Sequence, residues 1–276
     1  MPGIVNPTTP KKQVFTRDLS GQLVVLGCGT SVGVPAIGCG CAVCRSDHPR
    51  NKRTRCSVVL GLPRGNLLID TSPDLRTQLL RESIGLVDAV VYTHEHSDHI
   101  MGFDDLRLMQ FYLGGPVPVY CNRSVRQRLE AAFDYAFRDE EQTHAGAVPS
   151  VALHDIDGPF SVCGATVTPV PLNHGPRFEV LGFRVGNVAY CTDVKRIPES
   201  SKPLLTDLDT LILSALRADP HPTHMNIEEA IAAGRELGAR QTWFTHCSCR
   251  VDYETVSAGL PEGFAIAWDG LRIPLT

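Results

Sequence analysis

Ten residues, THEHSDHIMG from Thr93 to Gly102, carry an unusual density of metal-binding side chains: His94, Glu95, His96, Asp98 and His99. Neutral imidazole and carboxylate together suit zinc, manganese or iron. These donors cannot all share one face of a helix or strand. On a tight loop at a strand end they can converge from several directions, and their number exceeds what one ion takes. A polar loop with incidental histidines would have little structural use for so many ligands directly after the apolar run VDAVVYT.

Three more such residues close later apolar runs: His174 ends VTPVPLNH, Asp193 ends VAYCTD and His246 ends QTWFTH. Each alone would be an ordinary core or surface residue, but strand ends opening into loops are where α/β sheets place their sites. A separate group lies in GCGCAVC, where Cys39, Cys41 and Cys44 fall within six residues. Three thiols are one short of a tetrahedral metal site and one too many for a single disulfide. His48, Cys56 and Cys249 are the candidates for a fourth ligand. Cys28, Cys191 and Cys247 read as small buried residues.

These residues need a scaffold. QLVVLG, SVVLG, NLLIDTS, VDAVVYT and PVPVYC read as strands, followed by a helix opened by Ser124 with Gln127 as capping partner. Residues 138–150 read as a surface loop. In the second half, GATVTPVPL and LGFRVGNVAYCTD read as strands, with Gly186-Asn187 as a hairpin turn. DTLILSAL and QTWFTH bracket a helix capped by Asn226 and Glu229 and ending near Gly238, and FAIAWDGLRI reads as a closing hairpin turned at Asp269-Gly270. No linker or charge block interrupts the pattern. The expectation is one α/β domain over residues 1–276, with an irregular segment over 1–20.

The totals bound the function. With 276 residues and 43% apolar content the chain can bury a full core. A net charge of −4 offers no electrostatic attraction to a membrane or to a large nucleic acid. The basic run from Arg45 through Arg50, Lys52, Arg53 and Arg55 reads as a solvated face. There is no signal-like h-region and no apolar run long enough to span a bilayer, so a cytoplasmic protein is expected. In that reducing setting ten cysteines point to metal binding or buried thiols.

The order H-x-H-x-D-H, then isolated His, Asp and His at successive strand ends, resembles the metallo-β-lactamase superfamily. The resemblance extends from LGCGTSVGVP to WDG and implies a four-layer αββα sandwich of two mixed sheets with a two-metal site on one edge. It implies His94, His96 and His174 on one ion, Asp98, His99 and His246 on the other, and Asp193 bridging. Asp70 in LLIDTSPD matches an acidic position that orients a ligand histidine, although a helix N-cap or turn role would suit it equally. GVPAIGCGCAVC, PLNHG, LRADPHPTHMNIEEA and FTHCSC further resemble the phosphoribosyl cyclic phosphodiesterases. That resemblance implies a separate structural zinc on Cys39, Cys41 and Cys44. Its fourth ligand lies three residues past His246, at Cys249, where those enzymes can carry histidine.

The activity so implied is hydrolysis of a small, cyclic or nucleotide-like phosphodiester by a hydroxide bridging two divalent ions, zinc, manganese or iron. Asp98 is the catalytic carboxylate among the ligands. His224 in PHPTHMN matches an additional active-site histidine, with His221 as its competitor. Backbone donors of GCGTSVG, or Arg107, are further candidates for holding phosphate, although Arg107 could equally pair with Asp104 or Asp105. A homodimer is compatible with the family. Rival readings are a tRNA 3′-end ribonuclease, a thioesterase, a lactonase, or a non-catalytic metal-binding protein. The acidic charge and the lack of a long Gly/Pro-rich arm argue against the ribonuclease. The cysteine cluster is unexplained by a thioesterase or lactonase, and the complete ligand set argues against lost turnover.

Overall fold

A computed structural model describes residues 14–138 and 144–275. The first sheet is built from β1 (Gln22–Gly27), β2 (Ser57–Leu62), β3 (Gly65–Ile69), β4 (Ala89–Val91), β5 (Val117–Cys121) and β6 (Val151–Asp155). The second contains β7 (Phe160–Val162), β8 (Ala165–His174), β9 (Phe178–Val185), β10 (Val188–Cys191), β11 (Thr210–Ser214), β12 (Gln241–Thr245) and β13 (Phe264–Ile266). The last strand, β14 (Arg272–Pro274), returns to the first sheet beside β1, giving the order β14-β1-β2-β3-β4-β5-β6. The second sheet runs β13-β12-β11-β10-β9-β8-β7. Each sheet therefore joins an antiparallel meander to parallel strands, β3 to β6 in one and β10 to β13 in the other.

Side-chain alternation explains why the sheets stack. Along β1, Leu23 and Val25 face the second sheet and pack with Phe183, Tyr190 and Ile212. Val24 and Leu26 face the other way, against Leu75 and Leu79 of the helix Leu75–Glu82 and Leu129 of the helix Arg123–Ala132. On the far side of the second sheet, Leu211, Leu213 and Phe244 pack under Ala230 and Leu237 of the helix Ile227–Leu237. The layers are helix, sheet, sheet, helix, the expected four-layer arrangement. Among the described residues no helix is long and apolar enough to cross a membrane.

Local signals in the second half hold. Asn226 and Glu229 form a reciprocal capping box, Gly238 closes that helix in left-handed backbone, and the Gly186-Asn187 turn joins β9 to β10. Other expectations need correction. The earlier helix is capped by Asn122, whose side chain accepts from Val125 N at 3.0 Å; Ser124 instead donates to Glu95 at 3.1 Å. The chain does turn at Asp269-Gly270, but its two arms join different sheets, β13 and β14, so this is a crossover and not a hairpin. Asp269 anchors the crossing by accepting from Thr54 N at 2.9 Å, Thr54 Oγ1 at 2.6 Å and Cys28 N at 3.1 Å. Part of the expected 138–150 loop, and residues 1–13 of the expected irregular N-terminal segment, lie outside the described residues; residues 144–150 hold no helix or strand.

Candidate metal centre

Topology brings the site together. Strands β8, β10 and β12 run in the same direction, because β8 and β10 are both antiparallel to β9 and β10 to β12 form a parallel set. Their C-terminal ends therefore lie on one edge, where His174 ends β8, Asp193 follows β10 and His246 follows β12. In the other sheet, β3 and β4 are parallel and deliver Asp70 and the His94–His99 loop. The peptide of Thr93 bridges the sheets, its carbonyl accepting from Leu181 N at 3.0 Å.

Two groups of ligand atoms result, His94, His96 and His174, and Asp98, His99, Asp193 and His246, and a third, His174, Asp193 and His224, overlaps both; within each the atoms lie within 4.8 Å of one another. Asp193 stands between the first two. Its Oδ1 lies 3.1 Å from His246 Nε2 and 4.0 Å from His174 Nε2, and its Oδ2 lies 3.2 Å from His99 Nε2. Asp98 Oδ2 is 3.2 Å from His99 Nε2 and 3.8 Å from His246 Nε2.

Hydrogen bonds behind the rings set the tautomers. His174 Nδ1 donates to the carbonyl of Thr223 at 2.9 Å, and His99 Nδ1 donates to Asp70 Oδ2 at 2.7 Å. Thr93 Oγ1 gives its proton to Asp70 Oδ2 at 2.8 Å and so accepts from His94 Nδ1 at 2.9 Å. In all three rings the proton is on Nδ1 and the Nε2 lone pair points inward. Asp70 thus lies behind the ligand cluster, where it orients His99 and Thr93, and takes no part in a helix cap.

The donor set fits a pair of cations. His94 Nε2, His99 Nε2 and His246 Nε2 are buried with no hydrogen-bond partner; the latter two face Asp98 and Asp193, both almost fully buried, and His94 joins His96 and His174. Desolvating an unpaired carboxylate costs several kcal/mol, yet no lysine or arginine lines the pocket. Burial holds His94 well below the usual imidazole range, so it offers a lone pair. Burial would also lower His99, but Asp193, Asp70 and Asp98 raise it: this corner of the site calls for positive charge. Asp70, Asp193 and His246 all sit in left-handed backbone, at φ 65°, 55° and 58°, a conformation that concentrates where the surrounding structure has to aim a side chain.

The ligands open into a pocket of about 240 Å3 lined also by Ser31, Phe178, Thr223 and His224. His224 stacks on His246 at 4.6 Å, with Nδ1 3.8 Å from Asp193 Oδ1. Burial and the neighbouring His246 push its pKa down to about 3. His221 is half-buried beside it and its Nδ1 accepts from Thr223 Oγ1 at 3.2 Å, so His224 faces the pocket and His221 braces the loop. Several of the expected phosphate donors are engaged elsewhere, while Ser31 of the same segment lines the pocket. Cys28, Gly29, Thr30 and Gly33 spend their N–H groups on Asp269, Thr54, Cys247 and Thr30, and Arg107 pairs with Asp104. Glycine is required at 27 and 29 for packing, since a Cβ there would lie 2.1 Å from the Arg55 carbonyl and 2.7 Å from that of Arg53. Sequence reasoning missed Phe178, whose ring meets His96 at 4.9 Å; its Cα pairing with His174 across the β8–β9 ladder is invisible without register.

The thiol quartet forms as a second centre. Cys39, Cys41, Cys44 and Cys249 bring their sulfurs within 4.8 Å of one another. Main-chain N–H groups of Ala36 and Cys44 point at Cys44 Sγ and Cys41 Sγ, each at 3.4 Å. The second of these, with Cys39, holds the Cys41 thiol at about 7, while burial and Cys41 push Cys249 up to about 12. His48 instead caps a short turn, accepts from Arg50 N at 3.2 Å and stacks on Tyr253. Cys56 is buried against Thr245 and Gly29. Cys28, Cys191 and Cys247 are buried in the apolar cores as expected.

Residues 65–247 match the model of the beta-lactamase superfamily domain. A crystal structure described as a new diphosphatase from the PhnP family superposes with a TM-score of 0.86 at 41% identity, covering 92% of this chain and 98% of that one. The chain belongs to the metallo-β-lactamase superfamily and, within it, to the PhnP family. Divalent metal ions are the cofactors that this fold implies. A Porphyromonas gingivalis (strain ATCC BAA-308 / W83) protein named octanoyltransferase is 38% identical over 256 residues, 91% of this chain; the chain spans about half, 51%, of that relative's length. Zn(2+)-bound PqqB from Methylobacterium extorquens shares the fold, with a TM-score of 0.71 at 22% identity over 92% of this chain and 100% of that one.

Proposed function

We propose that this chain is a dinuclear metal-dependent phosphodiesterase acting on small or cyclic phosphodiesters. The observation that carries the reading is the convergence of three unpartnered buried Nε2 atoms and two buried carboxylates on one pocket, in a chain 41% identical to a PhnP-family structure. His94, His96 and His174 would hold one ion, Asp98, His99 and His246 the other, and Asp193 both, with zinc or manganese suited to this set. Bound there, the ions would supply charge neutralisation at the phosphoryl group and a lowered pKa for the attacking water.

The chain's own residues do the rest. Asp70 and the Thr223 carbonyl keep the ligand rings in one tautomer. His224 faces the pocket beside Asp193, within reach of an oxygen leaving phosphorus. The pocket of about 240 Å3 suits a compact diester, and no lysine or arginine is among the described residues that line it. The thiol quartet would hold a structural zinc, tying the Cys39–Cys44 loop to the turn that follows His246.

A second reading, hydrolysis of a diphosphate linkage, is favoured by the description of the PhnP-family neighbour as a diphosphatase. The deciding experiment loads the protein with zinc or manganese, counts bound metal, and assays bis(p-nitrophenyl) phosphate, nucleoside 2′,3′-cyclic phosphates and an organic diphosphate. Turnover of the diesters that requires metal is expected. A fully loaded pocket hydrolysing only the diphosphate would favour the second reading, and one hydrolysing none of them would end both.

A further inference from the structure

Arg53 departs from the solvated face that its neighbours in the basic run suggest. It is 2% exposed and makes no ion pair with any described carboxylate. A guanidinium stays charged in any protein environment, so its burial needs compensation. The structure supplies main-chain carbonyls: Nη1 donates to Ser248 O at 3.2 Å and Nη2 to Val251 O at 2.8 Å. Nη2 also reaches Asn51 Oδ1 at 3.2 Å, and Nε is left without a partner.

The two carbonyls belong to the turn that carries Cys249, a short step beyond His246. Arg53 grips the other half of the quartet through its backbone, with N to Val34 O at 2.7 Å and Val34 N to its own carbonyl at 2.8 Å. Val34 packs with Val43, Cys44, Cys39 and Cys249. One buried residue therefore holds both segments that deliver the thiols.

We propose that Arg53 is a positioning residue that couples the thiol quartet to the catalytic pocket. This rests on the reading of the quartet as a metal centre. The carbonyls of Ser248 and Val251 give the buried guanidinium the acceptors that no described carboxylate offers it. In return the guanidinium fork fixes the turn in which Cys249 faces one centre and His246 the other. Lysine would keep the charge but not the two-pronged grip.

The test compares wild type, Arg53→Met, Arg53→Lys and Cys249→Ser, each loaded with cobalt or zinc. Wild type should show cobalt–thiolate charge-transfer absorption; its absence would defeat the metal reading of the quartet, and this inference with it. In Arg53→Met a chelator should extract the thiol-bound ion about tenfold faster or more, the scale on which groups behind metal ligands act. Arg53→Met should lower the thermal midpoint by several degrees in the zinc-loaded protein and clearly less in the Cys249→Ser background. An equal loss in both backgrounds, or wild-type extraction kinetics in Arg53→Met, would overturn the coupling and leave a structural arginine. If Arg53→Met does not fold, Arg53→Lys decides: reduced turnover with the quartet ion retained supports the proposal, and wild-type turnover overturns it.

Discussion

Asp70 Oδ2 lies 2.7 Å from His99 Nδ1, with both side chains wholly excluded from solvent. The same carboxylate accepts from Thr93 Oγ1 and, through Oδ1, from Thr93 N at 2.8 Å. Every approach to it is a donor, so an amide in its place must turn an N–H toward another N–H or hydroxyl. Asp70→Asn is expected to lower metal affinity and turnover by about 10- to 100-fold. Metal-buffer titration with parallel kinetics checks this, and unchanged affinity would remove Asp70 from any role in orienting His99.

His224 and His221 differ in what they face. Removing a group that acts on the leaving oxygen costs roughly 10²- to 10⁴-fold in rate. His224→Ala is expected to fall in that range with its metal content intact, whereas His221→Ala loses far less. Joint loss of metal and activity in His224→Ala would reassign it as a ligand, a role its 3.8 Å approach to Asp193 leaves within reach.

Cys249→Ser leaves every pocket ligand in place but breaks the thiol quartet. The variant is expected to lose one tightly held zinc per chain and to unfold at lower temperature, because an ion on the quartet would close a loop of some two hundred residues. Metal analysis after dialysis together with a melting curve reads both effects. Retention of the full metal complement would show that the quartet is not a site.

Asp252 caps the helix Tyr253–Gly259, accepting from Thr255 N at 2.9 Å, and accepts from Asn51 Nδ2 at 2.8 Å. The Thr255 bonds lead in lowering its pKa from 3.8 to about 2 in the folded protein. Because the folded value is depressed, the stabilisation is complete above pH 3.8 and fades as pH falls toward 2. Asp252→Ala should therefore cost about 1 kcal/mol at neutral pH, and the gap to wild type should narrow below pH 3.8. Denaturant midpoints measured across that range test it, and a pH-independent gap would contradict the assignment.

The candidate ligands are legible because they cluster where residue type alone is diagnostic. His94, His96, Asp98 and His99 lie in one loop, and His174, Asp193 and His246 each close an apolar run. Cys249 was within reach only through resemblance, since nothing local separates it from His48 or Cys56. Arg53 was misplaced because a charge run shows no sign of which member turns inward. The closing segment reads as a hairpin because a turn at Asp269-Gly270 looks the same whether its arms pair with each other or join two sheets.

By itself the sequence determined the alternation of apolar strands and capped helices, the two candidate ligand sets and the membership of a hydrolase superfamily. Those are matters of residue type, period and short spacing, which local chemistry governs. Tertiary structure alone decided that β8, β10 and β12 end on one edge, that Asp193 stands between two groups of imidazoles, and that Phe178 sits at the mouth of the pocket. It also decided that the GCGT backbone is spent on packing and that Arg53 joins two distant loops. These depend on strand direction, on register and on contacts between residues up to 241 positions apart, which no local stretch encodes.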